Sequence, residues 1–297
     1  MPSTLLQPEI LARAEALGVM AKQVVEGLRV GDHKSPYRGF SVEFVQHREY
    51  VPGDDIRHID WKSYGRSERY TIKQYEQETN FTAHIVADTS NSMRYGEGLQ
   101  NKHEYAKLLA ASLTYVIVKQ RDAVSLRLFD SDWRAELPGS SQMRHVNVVC
   151  KTLEEAKPAD KTGTGALLEQ LAERVSRRGI VFVITDGFDD VEPMLKGLRH
   201  LRFRGHEVVL FHVLHRDEIE FPLDGNVRFI DLEGIGQLMT RPHMLRPAYL
   251  RAVQDYLKAM EKGCDVGRVE YVRMVTDKPM QAALGDYLVK RLQISPR

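Results

Sequence analysis

The chain has 297 residues, 42% hydrophobic and 28% charged, with a formal net charge of +1. That balance belongs to an ordinary folded chain and gives no general attraction to nucleic acid or anionic lipid. The two cysteines, Cys150 and Cys264, lie far apart at no metal or redox spacing; they read as small packed hydrophobes in a reducing compartment.

No apolar run approaches the ~20 residues that span a bilayer. The opening MPSTLLQPEILARAEALGVMAKQ lacks the apolar core of a signal peptide, so the expected location is cytoplasmic. Within residues 8–29, Ile10, Leu11, Ala14, Leu17, Ala21, Val24, Val25 and Leu28 recur at helical steps. Residues 30–50 are polar without a clean period. VPGDDIRHIDW (51–61) opens on a Pro-Gly turn signal, and 69–81 reads as extended.

From residue 83 the pattern becomes regular. AHIVA (83–87) is a short buried strand, and Tyr105, Leu108, Leu109, Ser112, Leu113 and Val116 mark a helix. AVSLRLF (123–129) is a strand, with WRAEL after the Asp130–Asp132 turn as its hairpin partner. Met143, Val146, Val149, Cys150 and Leu153 give the next helix. A polar loop covers 157–165, and a helix from Leu167 ends near Gly179. GIVFVITDG (179–187) is the strongest strand. A helix over 191–204, a strand over 206–214, a short strand over 227–232, a helix over 248–262, a strand over 269–275 and a helix over 280–292 follow. Continuous apolar strands alternating with helices predict an α/β fold with a doubly wound, mainly parallel sheet. An N-terminal helical and extended extension over 1–80 precedes this α/β domain over 81–297.

Two strands end in an aspartate, Asp88 and Asp186. In such sheets, ligands bind beyond the carboxyl ends of the strands. The DKTGTG loop adds Thr162 and Thr164 at the same edge, and Ser90 and Ser92 follow Asp88 at alternate positions. Every one of these side chains offers oxygen, the donor that hard divalent cations select. Two carboxylates neutralise a divalent charge, and hydroxyls add ligands without adding charge. Taken alone, 88–92 reads better as a helix N-cap and Asp186-Gly187 reads better as a turn.

DTSNS, the later loop threonine and TDG resemble the metal-ion-dependent adhesion site of von Willebrand factor A-type domains. REYVPGDDIRHIDWKSYGRSERYTIKQYEQE narrows the resemblance to the domain-of-unknown-function family 58, associated with MoxR-type AAA+ ATPases, over about residues 35–290. The resemblance implies a Rossmann-like, von Willebrand factor A-like fold. It implies a Mg²⁺ site, with Mn²⁺ as the other metal, on Asp88, Ser90, Ser92, Asp186 and either Thr162 or Thr164. Spacing to the strand favours Thr162, and the Gly-Thr pair favours Thr164. The implied role is a protein-protein interaction module working beside a MoxR-type ATPase or its client, with a partner carboxylate in the open coordination position. The alternative is a metal-dependent phosphoesterase on the same residues. No catalytic base stands in these loops, and no P-loop or G-x-S-x-G element occurs; the expectation is a non-enzyme. Basic and aromatic residues mingle over 57–75, but acidic residues interrupt them, which disfavours nucleic acid. His212 and His215 lack a third ligand for Zn²⁺.

Overall fold

The computed structural model describes residues 41–49, 61, 64, 65, 70–78 and 82–287, without 160, 162, 177, 226, 231–236, 241, 281, 283 and 286. The Pro-Gly-Asp-Asp element, the opening helix and Thr162 therefore lie outside the described residues. The chain divides into two units, Ser35–Phe81 and the remainder.

In the smaller unit, β1 (Ser41–Glu49) pairs antiparallel with β2 (Thr71–Glu78). The extended reading of 69–81 is met by β2. The other strand falls in the stretch without a period, and the pairing explains why. Register slips between Phe44 and Gln46, so Val45 is an extra residue that breaks the alternation begun by Val42 and Phe44. Tyr64 and Tyr70 stack at 4.5 Å, with Trp61 edge-on to Tyr64.

The larger unit is built on a six-stranded sheet. In chain order its elements begin with β3 (Thr82–Asp88), α1 (Lys102–Lys119), β4 (Ala123–Phe129), β5 (Trp133–Ser140), α2 (Arg144–Glu155) and α3 (Thr164–Arg174). Then come β6 (Ile180–Thr185), α4 (Val191–Phe203), β7 (Glu207–Leu214) and the short α5 (Arg216–Glu220). The strands β8 (Val227–Ile230) and β9 (Gln237–Thr240), the long α6 (Pro242–Val266) and β10 (Glu270–Val275) complete the series. Sheet order is β10-β7-β6-β3-β4-β5. All neighbours are parallel except β5, the expected hairpin partner of β4.

The central strands are buried on both faces, which is why they read as unbroken apolar runs. Alternation divides their side chains. Val86, Val181, Val183, Val208 and Leu210 join one cluster with Leu168 and Leu171 of α3, Leu198 of α4 and Met260 and Cys264 of α6. On the other face Phe182 stacks on Phe211, which meets Tyr287. Both cysteines are free and buried.

Two helices differ in their bounds from expectation. The helix expected to end near Gly179 stops at Arg174. The helix expected over 248–262 begins at Pro242 and continues to Val266. A proline suits a first helical position, and the exposed Pro247 is carried inside the helix rather than ending it. The short extra strand expected over 227–232 is met by β8, which pairs with β9 in a separate two-stranded ribbon.

Candidate functional site

The chain leaves β3 for β4 on one side of the sheet, while β6 lies on the other. That reversal creates a topological switch point, where the carboxyl ends of two adjacent strands open a crevice. Asp88 closes β3 and Asp186 follows β6 there. Four loops are tied together around it. Ala159 N donates to Thr89 O (2.9 Å), Gly163 N to Asp130 O (2.9 Å) and Thr164 N to Asp189 Oδ2 (3.0 Å). Gly165 allows α3 to come this close to α4, since a Cβ there would lie 2.7 Å from the Pro193 carbonyl carbon.

Asp88, Ser90, Ser92, Thr164 and Asp186 are all buried at this edge. Asp88 Oδ1 accepts from Ser90 N (2.8 Å), and Oδ2 accepts from the Thr185 hydroxyl (2.6 Å). The hydroxyls of Ser90 and Ser92 lie 3.0 Å apart. Asp186 Oδ1 accepts from Phe188 N (3.1 Å). The Oγ1 of Thr164, at 0% exposure, has no hydrogen-bond partner. The N-cap alternative for 88–92 does not hold for the long helix: Asn101 caps α1, accepting from His103 N and Glu104 N. Ser90 precedes a 3-10 turn over Asn91–Arg94, yet its side chain makes no capping bond. At Asp186-Gly187 the chain forms no regular turn, but Asp186 Oδ1 accepts from Phe188 N and so bends the backbone locally. Gly187 has φ +64°, and a Cβ there would come 2.6 Å from the Tyr256 hydroxyl.

Sequence reasoning missed Lys102 and Glu218. Lys102 is the first residue of α1 and only 1% exposed. Its Nζ donates to Asp186 Oδ2 (2.7 Å) and Glu218 Oε1 (2.6 Å). The one available signal was a third strand, β7, whose carboxyl end delivers Glu218 to the same edge. His212 was weighed only as a zinc ligand. It is a brace instead: Nε2 lies 2.8 Å from the Asp186 carbonyl and Nδ1 2.7 Å from the Tyr271 hydroxyl.

Electrostatics divide the two aspartates. Burial, reinforced by the Asp186 charge, pushes the Asp88 carboxyl up to about 7 against the pull of its hydrogen bonds. Burial also opposes ionisation of Asp186, but the Lys102 ammonium outweighs it and holds that carboxyl below its ordinary range. Burial keeps His212 neutral, down at about 4. Beside Asp186 opens a cleft of about 750 Å³. Phe188, Tyr249, Val253 and Tyr256 give it apolar walls, and Asp189, Asp190 and Glu218 give it acidic ones.

The donor set fits a hard divalent cation. It consists of oxygen alone, it leaves one buried hydroxyl unpartnered, and it places two mutually repelling carboxylates together. Among the described residues, no three His, Cys, Asp or Glu side chains converge on a metal position. A cation here would rest on two carboxylates and hydroxyls, which is a weak, open donor set.

Comparison with known proteins gives the family of the chain. The family described as "Protein of unknown function DUF58" matches residues 46–258. "Uncharacterized protein Rv1480" of Mycobacterium tuberculosis is 26% identical over 249 residues, 82% of this chain and 78% of that protein. "Uncharacterized protein Mb1516" of Mycobacterium bovis matches to the same extent. Among solved structures, the "conserved hypothetical protein BatB from Bacteroides thetaiotaomicron" is 22% identical with a TM-score of 0.46, over 72% of this chain and 99% of that one. The SpRpn10 VWA domain is 9% identical with a TM-score of 0.40, over 69% and 93%. The larger unit is an α/β domain on a mainly parallel six-stranded sheet, and the chain belongs to the DUF58 family.

Proposed function

We propose that this chain is a metal-dependent protein-interaction module. Asp88, Ser90, Ser92, Asp186 and a loop threonine hold Mg²⁺, or Mn²⁺, at the switch point. Thr164 is the better-supported threonine because its buried Oγ1 lacks a partner. A partner's Asp or Glu completes the coordination by displacing water, at the cost of dehydrating a reluctant ion. The net gain is modest, so neighbouring contacts supply specificity. The cleft beside Asp186, with the exposed Phe188 at its rim, suits that purpose. The observation that carries the reading is the pair of buried carboxylates at adjacent strand ends, with hydroxyls not used for capping.

The partner class is a MoxR-type AAA+ ATPase or its client, as the family resemblance implies. The location is cytoplasmic in this reading; among the described residues no helix is long and apolar enough to cross a membrane. A phosphoesterase on the same residues would need a proton acceptor beside the metal. His212, the imidazole against Asp186, has both ring nitrogens engaged, which favours binding over turnover. A pull-down from native lysate tests the reading. Partner capture is expected to fall with EDTA and with Ser90→Ala plus Ser92→Ala. Equal recovery under both conditions removes the metal as the docking point.

A further inference from the structure

We infer that Lys102 is a built-in counter-cation that competes with the divalent ion for Asp186, and that Glu218 is the seat its ammonium keeps when the ion binds. The inference rests on the metal reading above and deepens it. Lysine is rarely buried without a charged partner, and a cation at the first residue of a helix opposes the helix dipole. Local preference therefore does not explain Lys102. The two carboxylates do, since its Nζ bridges Asp186 Oδ2 at 2.7 Å and Glu218 Oε1 at 2.6 Å.

Three further contacts give this bridge its direction. The other three oxygens of the aspartate pair accept from neutral donors: Asp88 Oδ1 from Ser90 N, Asp88 Oδ2 from Thr185 and Asp186 Oδ1 from Phe188 N. Asp186 Oδ2 alone among the four is paired with a full positive charge. Glu218 is held independently, its Oε2 accepting from His215 N at 2.7 Å within the cap of α5. Its Oε1 thus faces Lys102 whether or not Asp186 is engaged elsewhere. A divalent ion drawing on Asp186 would repel the ammonium, and Glu218 keeps that ammonium paired. Lys102 ties Asp186 to Glu218, and metal affinity is lowered because an ion must displace it.

Calorimetric titration of the full chain with Mg²⁺ and with Mn²⁺ tests this across wild type, Lys102→Met, Glu218→Gln and the double variant. The double variant removes one charge of each sign and so keeps the formal charge of the cluster. Lys102→Met is expected to bind at least tenfold tighter, on the order expected for removing a neighbouring like charge. Glu218→Gln is expected to bind several-fold weaker, and the double variant several-fold tighter than wild type. A double variant equal to wild type means that only net charge matters and overturns the competition. Folded lysine variants binding no tighter than a wild type that does bind overturn the inference and leave the metal reading standing. Binding by Lys102→Met without binding by wild type supports the inference and removes the wild-type metal reading. No response from any of the four overturns both. Should the lysine variants not fold, the ¹⁵N resonance of the Lys102 ammonium in wild type decides: it must move as metal saturates, and an unchanged resonance overturns the proposal.

Discussion

The two ends of the central strands bury polar groups in opposite ways. At the carboxyl end, Asp88, Asp186 and Lys102 are buried ionisable residues, and Glu218 joins them partly exposed. At the amino end, His84 Nδ1 shares a 2.7 Å hydrogen bond with Ser125 Oγ, and His206 Nε2 lies 3.3 Å from the Val175 carbonyl. The two rings meet edge to face at 6.2 Å. Burial lowers both imidazoles below their ordinary range, His84 to about 4, so both rings are neutral. Each ring has one nitrogen engaged, while His84 Nε2 and His206 Nδ1 are buried without a hydrogen-bond partner. Buried charges need each other, and removing one strands the rest. The contrast makes the amino end a matter of packing and the carboxyl end a matter of charge.

The largest effect that separates the two ends is on stability. Asp186→Ala leaves Lys102 with Glu218 alone and should cost about 3–5 kcal/mol in urea denaturation. Ser125→Ala removes one neutral bond at the amino end and should cost about 1 kcal/mol. Similar losses from the two substitutions would break the distinction.

Acid should act next. Burial holds His84, His103 and His212 each at about 4. A folded value below the unfolded one means that the stability is present above about 6.5 and is lost as pH falls through 4. Each site contributes up to about 3 kcal/mol. His84→Gln should therefore flatten the fall in urea midpoint between pH 7 and pH 4.

Asp88 has the opposite sign. Its folded value of about 7 exceeds the ordinary 3.8, so its contribution is full below the ordinary value and is lost as pH rises through 7. In EDTA at pH 8, Asp88→Asn should stabilise the chain by about 1–3 kcal/mol, and the gain should vanish near pH 4. A gain that is independent of pH would show that charge is not its cause. The smallest effect belongs to Phe188, which is 69% exposed at the cleft. Phe188→Ala should leave stability within about 0.5 kcal/mol while weakening partner capture. Unchanged capture would remove the cleft from the docking surface.

The sequence made the strand ends legible for a physical reason. A strand buried on both faces is an unbroken apolar run, so the aspartate that ends it stands out, as Asp88 and Asp186 do. Short-range spacing then linked Ser90 and Ser92 to Asp88. Lys102 and Glu218 escaped because their roles arise from contacts across 84 and 116 positions of chain, and a lysine opening a helix looks like an ordinary surface residue. The β1 strand escaped because its bulge broke the alternation. The start of α6 escaped because Pro247 is a reasonable stop signal that the helix carries on an exposed position.

Metal titration at pH 8 into wild type, Asp88→Ala and His84→Gln tests the central claim most directly, because it asks the same question of both ends of the sheet. The account predicts weak, saturable Mg²⁺ or Mn²⁺ binding to wild type and His84→Gln, and none to a folded Asp88→Ala. Absence of any response from wild type at millimolar metal, or unchanged binding by Asp88→Ala, would contradict it.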